Sequence, residues 1–409
     1  MSEANTASKT TKVRAWPIVV GMVGGLGIGA ALHALNANVD TAVSTAQLAG
    51  GLWLNALRIT LVPLIFSLVV TGVAAAASNR VGGRIGRKTA FLFVSLLLLS
   101  AVVGAILGSF LLNIGPAALM AAAQTKPVDV PSASAWILGL LPSNIVSAAA
   151  DGAIVPLVLF ALIFALAAVR VGERASHLLR FFEAMSEIMV TIVHWVLIVA
   201  PIGVFALAFS LGATTGLGAG AFIGWYVIVQ IIATLSLAAL MYPLAIRSGQ
   251  SISAFSRAAA PAQVIAASTQ SSLASLPAMV EAARRLGLPK GSAEVVLPLA
   301  VAVFRIAAPA SIVIVTLALS RVTGVELGLP QLIIVMLMAT LNTLVIAGLP
   351  NQITFFAAYA PPALAVGVPV ELLPIFLAID AIPDIFYTVT NVTADLAVTS
   401  AVSSDPSMP

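Results

Sequence analysis

Six polar residues near the C-terminal end of the chain could do chemistry together: Asp380, Asp384, Tyr387, Thr388, Asn391 and Asp395, at offsets 0, 4, 7, 8, 11 and 15 in an otherwise apolar run. At about 100° per residue they share one helix face about 100° wide, along roughly 22 Å of axis. Each carboxylate at the centre of a bilayer costs about 2.5–3.5 kcal/mol on insertion scales. Such a stripe has to face a cavity, a cation or a cationic partner. Arg305 is placed to be that partner. It lies midway along the apolar stretch Val296–Leu319, with no Lys or Arg within 14 residues on either side. A lone guanidinium at that depth needs an anion, and Asp380, Asp384 or Asp395 is expected to supply it. Snorkelling to a water-filled crevice is the alternative.

Two further segments interrupt apolar stretches. Ser268-Thr269-Gln270-Ser271-Ser272-Leu273-Ala274-Ser275-Leu276-Pro277 holds six hydroxyl or amide residues in ten, too many for a lipid-facing helix. Two half-helices meeting there would present unpaired backbone N–H groups and hydroxyls, which suits a carboxylate. The competing reading is Ser and Thr used as interhelical packing residues. Ala347-Gly348-Leu349-Pro350-Asn351-Gln352 predicts a helix break, since Gly adds backbone freedom and Pro removes a donor. Between two apolar arms it reads as a hairpin tip that opens and closes, or else as a plain loop.

The elements that position these residues follow from composition. Of 409 residues, 60% are hydrophobic and only 8% charged, against about 25% charged in a soluble domain. That excludes a soluble enzyme, a nucleic-acid-binding domain and a disordered chain. The net charge of +4 on so apolar a chain concerns orientation in a membrane. There is no Cys and there are only three His, His33, His177 and His194, so no disulfide or metal centre is expected. A bilayer span needs about 20 apolar residues. Stretches of that kind run over 17–35, 48–77, 88–114, 136–169, 188–212, 220–246, 293–320 and 370–400. The interrupted stretches 254–282 and 331–365 read as re-entrant hairpins. With this map, fifteen Lys and Arg fall on one side of the membrane and two, Lys126 and Arg321, on the other. That bias predicts cytoplasmic termini, eight full spans, and hairpins that enter from opposite faces. Paired re-entrant segments point to an inverted-repeat secondary transporter with a site at the membrane midplane.

At this level of detail the chain resembles the dicarboxylate/amino acid:cation symporter family, the glutamate-transporter homologues. The matching residues are Leu57-Arg58-Ile59-Thr60-Leu61-Val62-Pro63-Leu64-Ile65-Phe66-Ser67, Pro142-Ser143-Asn144-Ile145, Ala200-Pro201-Ile202-Gly203-Val204-Phe205-Ala206-Leu207, the serine-rich hairpin, Ala347-Gly348-Leu349-Pro350, and Asp384…Thr388…Asn391-Val392-Thr393-Ala394-Asp395. The resemblance implies an all-α fold of eight transmembrane helices and two re-entrant hairpins, assembled as a homotrimer in the inner membrane. It implies a tail over 1–16, mainly scaffold over 17–250 with the third and sixth spans grouped with the moving part, a transport core over 251–402, and a tail over 403–409. By the same resemblance Asp384 binds a substrate amino group, and Asn391, Ser271 and Ser272 bind its α-carboxylate. Thr388 lies beside the substrate, and the tip with Gly348 and Pro350 closes over it.

Two departures stand out. The family builds its sodium sites on an Asn-Met-Asp-Gly-Thr signature in the seventh span; counted from Leu297-Pro298-Leu299, this chain reads Phe304-Arg305-Ile306-Ala307-Ala308. Phe and Ile cannot replace oxygen ligands of a hard ion, so Arg305 is expected to act as a built-in countercharge to Asp395 or its neighbours. The second departure is at Gln270 and Tyr387, where acidic-substrate members place an Arg to grip a distal carboxylate. Either the substrate is a neutral or polar amino acid, or Arg305 recognises an anionic end. The expected ligand is a small carboxylate, an amino acid being favoured narrowly because Asp384 remains to pair an ammonium. No organic cofactor and no nucleic-acid partner are expected. With sodium coupling weakened or absent, protons on Asp380, Asp384 and Asp395 are the alternative coupling ion, and uncoupled exchange or an anion channel are the remaining readings.

Overall fold

The computed structural model describes residues 15–78, 84–116, 143–151, 154–216, 218–345 and 351–403. Among them every regular element is helical. In chain order these are α1 (Ala15–Ala34), α2 (Asp40–Arg58), α3 (Leu61–Ser78), α4 (Arg84–Ile114), α5 (Ile145–Ala150), α6 (Ile154–Val171), α7 (Ser176–Ile198), α8 (Ala200–Thr215), α9 (Gly218–Arg247), α10 (Ile252–Thr269), α11 (Ser272–Arg285), α12 (Lys290–Val303), α13 (Ala307–Thr323), α14 (Leu329–Val345), α15 (Asn351–Ala365), α16 (Leu373–Ile379) and α17 (Ala381–Ser403). Among the described residues, six helices or continuous helical runs are long and apolar enough to cross a membrane, seven if α16 and α17 count as one span. Trp16, Phe91, Phe181 and Trp195 are exposed, as lipid-facing side chains of a polytopic membrane protein are.

Four stretches that read as unbroken are divided, and each division has the same cause. Pro63, Pro201, Pro309 and Pro383 sit in the first turn of α3, α8, α13 and α17. Each lacks the N–H that would bond the carbonyl four residues back, at Ile59, Leu197, Arg305 and Ile379, and its ring crowds that carbonyl. The preceding helix therefore ends and a new one begins. At the last of these the axis turns by 67° between α16 and α17.

The serine-rich segment forms a helical hairpin. Gln270 takes the left-handed conformation at the end of α10, with φ 51°, and the Ser271 side chain caps α11. At the open end Gln250 Nε2 donates to the Leu286 carbonyl at 3.2 Å, so the two arms begin and end side by side. Helices α14 and α15 also pack together, with Asn342 Nδ2 donating to the Ala358 carbonyl at 3.1 Å. The expected tip between them, with Gly348 and Pro350, lies outside the described residues.

Elsewhere the helices approach through small residues. Helix α1 lies along α8 with Gly21, Gly25 and Gly29 on the contact. A Cβ at Gly25 would sit 2.4 Å from the Phe205 carbonyl oxygen, a backbone atom that cannot move aside. Gly25→Val is expected to cost about 1–3 kcal/mol by overpacking, read as a lowered thermal unfolding midpoint of the purified protein in detergent. Arg58, at the end of α2, is ion-paired with Glu371 at 2.6 Å, a partly exposed bridge.

Candidate functional site

Helix α17 is the axis of the site. From Tyr387 to Val402 nearly every residue is buried, because α4, α9, α10, α11, α12, α13 and α16 all pack against it. Its polar face is thus turned into protein on every side, not towards lipid. Side-chain hydrogen bonds tie it to three neighbouring structures. Gln263 of α10 donates to Thr393 at 2.8 Å, Thr390 donates to the Thr234 carbonyl of α9 at 3.1 Å, and Asn391 Oδ1 accepts from the Ala307 N–H at 3.0 Å.

The last contact places Asn391 at the break in the seventh span. Between α12 and α13 the backbone is extended at Phe304, with φ −106° and ψ 93°. Phe304 stacks on Phe93 of α4, ring centroids 4.5 Å apart and planes 5° from parallel. Ser100 of the same helix donates to the Ile306 carbonyl and accepts from the Ala310 N–H at 3.2 Å. Close approach of α4 is possible because Gly104 lies against Ala310, where a Cβ would come within 2.6 Å of the Ala310 Cα. Ser100 and Asn391 therefore satisfy groups that a broken helix leaves without intrahelical partners. Ser100→Ala is expected to leave a buried N–H and C=O without these bonds, a loss of about 1–3 kcal/mol, measured as a lower unfolding midpoint.

Arg305 stands in this break and is half-buried. The seventh span had been expected to run unbroken through it; Pro309, four residues on, is the signal that marks the interruption. Asp380 also departs from the expectation. It lies at the end of α16, before the 67° turn, so only Asp384 to Asp395 share one straight helix face. Asp395 is separated from the other acids in a further way: it is 0% exposed and neither of its carboxylate oxygens has a hydrogen-bond partner. The expected pairing of Arg305 with Asp395 is therefore not made.

The hairpin tip meets the start of α17. Gln270 Nε2 donates to the Ala381 carbonyl at 2.8 Å, and Ser271 Oγ accepts from the Ala274 N–H at 3.2 Å. Ser272 opens α11 and is half-buried. The N-termini of α11 and α13 thus both abut α17, and the first turn of a helix carries unpaired N–H groups and the positive end of its dipole. Thr388 is buried and its hydroxyl donates to the Asp384 carbonyl at 2.8 Å; Asp384 itself is half-buried. At α13 the N–H groups of Ala307 and Ala310 are already taken by Asn391 and Ser100, so of the two N-termini it is that of α11 that is placed to meet an anion.

Gln270 and Tyr387 have their polar ends engaged by the protein. The Tyr387 hydroxyl accepts from Ser311 at 2.9 Å, and Ser311 also bonds the Tyr359 hydroxyl at 2.8 Å. Gln230 Nε2 reaches Tyr226 at 2.9 Å and Ser311 at 3.2 Å. This buried cluster of Tyr226, Gln230, Ser311, Tyr359 and Tyr387 joins α9, α13, α15 and α17, and Asp380 acts electrostatically on all three phenols. Sequence reading found only Tyr387 of the five. The available signal was Gln230, an amide inside an apolar span, where an unpaired polar group is costly.

A helical membrane protein whose interrupted helices bring polar side chains and helix N-termini against one buried helix is built as a transporter, not as an enzyme. The sequence comparisons specify it. The sequence profile of the sodium:dicarboxylate symporter family matches residues 15–405. The chain is 29% identical over 404 residues to the proton/glutamate-aspartate symporter of Escherichia coli (strain K12), covering 93% of this chain and 90% of that protein. It is 28% identical over 359 residues to the proton/sodium-glutamate symport protein of Bacillus subtilis (strain 168), covering 85% and 82%. It is 27% identical over 364 residues to the C4-dicarboxylate transport protein of Stenotrophomonas maltophilia (strain R551-3), covering 87% and 81%. This chain belongs to the sodium:dicarboxylate symporter family.

Proposed function

We propose that the protein is an elevator-type secondary transporter of small carboxylates, amino acids or dicarboxylates, whose sodium coupling is weakened or absent. The observation that carries the second half is the break in the seventh span. Its polar backbone groups are taken by Ser100 and Asn391, Phe304 is stacked on Phe93, and a guanidinium stands between Phe304 and Ile306. A hard cation needs several oxygen ligands, and this segment presents aromatic, aliphatic and cationic side chains instead.

On this reading the substrate lies between the hairpin tip and α17. Ser271, Ser272 and Asn391 bind a carboxylate, Asp384 binds an ammonium, Thr388 lies beside the ligand, and the tip with Gly348 and Pro350 covers it. Gln270 and Tyr387 act indirectly, by fixing the hairpin and α17. Arg305, Asp380 and Asp395 set the charge and coupling of the transport core. Residues 251–402 move as the transport core against a scaffold within a homotrimer, eight spans and two re-entrant hairpins per protomer, with both termini cytoplasmic.

The test is titration of purified protein with aspartate, succinate, serine and alanine, in sodium-free and sodium-containing buffer. Binding of at least one of them with the same affinity in both buffers is expected. A steep dependence of affinity on sodium would overturn the sodium-independent reading. Uptake into proteoliposomes against a concentration gradient separates a transporter from a channel, which cannot concentrate substrate.

A further inference from the structure

Asp395 is the buried group that the substrate site does not use. It lies one helical turn beyond Asn391, 0% exposed, in a helix packed on all sides. Its backbone carbonyl accepts from Thr399 at 2.6 Å, but both side-chain oxygens are without a hydrogen bond. An ionised carboxylate so placed would lose its hydration with nothing in return, a penalty of several kcal/mol.

Three things could relieve that penalty: a cationic side chain, a bound metal ion or a proton. The charged and titratable groups on the packed elements are these. Helix α4 carries Arg84, Arg87 and Lys88; α9 carries Tyr226, Tyr242 and Arg247. The hairpin carries Arg257, Glu281, Arg284 and Arg285. The seventh span carries Lys290, Glu294, Arg305 and Arg321, and the last contributes Asp380, Asp384 and Tyr387. Among the described side chains, none donates a hydrogen bond to either carboxylate oxygen of Asp395. A metal ion would need several oxygens around it. One turn away Asn391 Oδ1 already accepts from Ala307 and the Ile306 carbonyl from Ser100, while Phe304 is fixed against Phe93. Among the described residues there is no group of three or more His, Cys, Asp or Glu that could hold a metal. A proton needs no ligand set.

We propose that Asp395 carries the coupling proton of this transporter. The inference rests on the transport function proposed above. The carboxyl is neutral where it is buried, and its proton is held within the bundle. In a form that admits water to α17, the O–H bond breaks, the proton passes to water, and the carboxylate is reprotonated from the opposite side. Carboxylate substrate and proton then cross together, and no sodium is required.

Two measurements test this on the intact protein in proteoliposomes. Infrared difference spectroscopy of wild type against Asp395→Asn should show a protonated-carboxyl C=O band that the variant lacks. Absence of that band at neutral pH overturns the proposal whatever the transport result. The second measurement compares exchange of labelled aspartate and succinate with their accumulation under an inward proton gradient without sodium. Wild type should do both. Asparagine copies the shape and neutrality of the protonated acid, so Asp395→Asn should exchange substrate yet lose gradient-driven accumulation. A variant that still accumulates substrate under the proton gradient overturns Asp395 as the coupling group, and so does a wild type that accumulates only with sodium. Failure of wild type to exchange any carboxylate while the infrared band is present counts against the transport function and leaves the proton assignment standing.

Discussion

Replacing Arg305 by Met is expected to weaken binding of aspartate or succinate in sodium-free buffer by roughly 30-fold or more, about 2 kcal/mol. The methionine keeps the length and apolar stem of the side chain, so packing between Phe304 and Ile306 changes little, and the protein should still fold. What is lost is the cation within the break, half-buried, beside a helix N-terminus and a span with acids at Asp380 and Asp384. In a site of reduced dielectric, removing one sign of charge leaves the other to repel an anionic ligand. Because the break offers no set of oxygen ligands for a metal ion, adding sodium should not recover the loss in the Arg305→Met protein, and wild type should be indifferent to sodium as well. Isothermal titration with aspartate and succinate in both buffers reads the effect directly. Unchanged affinity in the variant would show that Arg305 is a structural cation remote from the ligand.

How far the site could be read from sequence depended on what kind of signal each residue left. Composition and apolar length mark the membrane class because a bilayer punishes charge everywhere, and the six charged or polar residues of the last span were conspicuous for that reason. The serine-rich hairpin was legible too, since polar residues at that density have no other home in lipid. The helix divisions were harder. Pro63, Pro201, Pro309 and Pro383 each start a new helix, yet Pro243, Pro261, Pro277 and Pro298 lie inside continuous ones. The same missing N–H either ends a helix or is tolerated, depending on whether neighbours satisfy the freed carbonyl. That is a tertiary question. At Arg305 the neighbours were Ser100, 205 positions earlier in the chain, and Asn391, 86 positions later. No local pattern joins them. For the same reason the helical wheel drawn from Asp380 was correct in angle for Asp384 to Asp395 and failed for Asp380, which lies before the turn. Tyr387 is tied to the ligand by the resemblance and shares the polar face by its register, but register says which face a side chain leaves from, not which partner its hydroxyl finds. Ser311 and Tyr359 supply that partner.

Asp384→Asn carries the other large expected effect, and it separates the two substrate classes. Asp384 lies in the first turn of α17, half-buried, where its negative charge is favoured by the helix dipole. Asparagine keeps the shape and an acceptor oxygen but loses the charge. For an amino-acid substrate this converts a charge-assisted bond to the ammonium into a neutral one. The cost of losing such a bond is about 1.5–3 kcal/mol, or roughly 10- to 150-fold in affinity. For a dicarboxylate the sign reverses, because no ammonium is present and a like charge has been removed from beside an anion. Succinate should therefore bind the Asp384→Asn protein at least as tightly as wild type, while aspartate, serine or alanine should bind far more weakly. Thr388 donates its hydroxyl to the backbone carbonyl of Asp384, not to its side chain, so the substitution leaves that contact and the helix start intact. A parallel fall for succinate and aspartate would mean that Asp384 holds the site together and does not read the ligand. A fall for succinate alone would invert the assignment. The same titration on Arg305→Met completes the comparison, since a cation that grips a distal carboxylate must matter for aspartate and succinate and be dispensable for alanine.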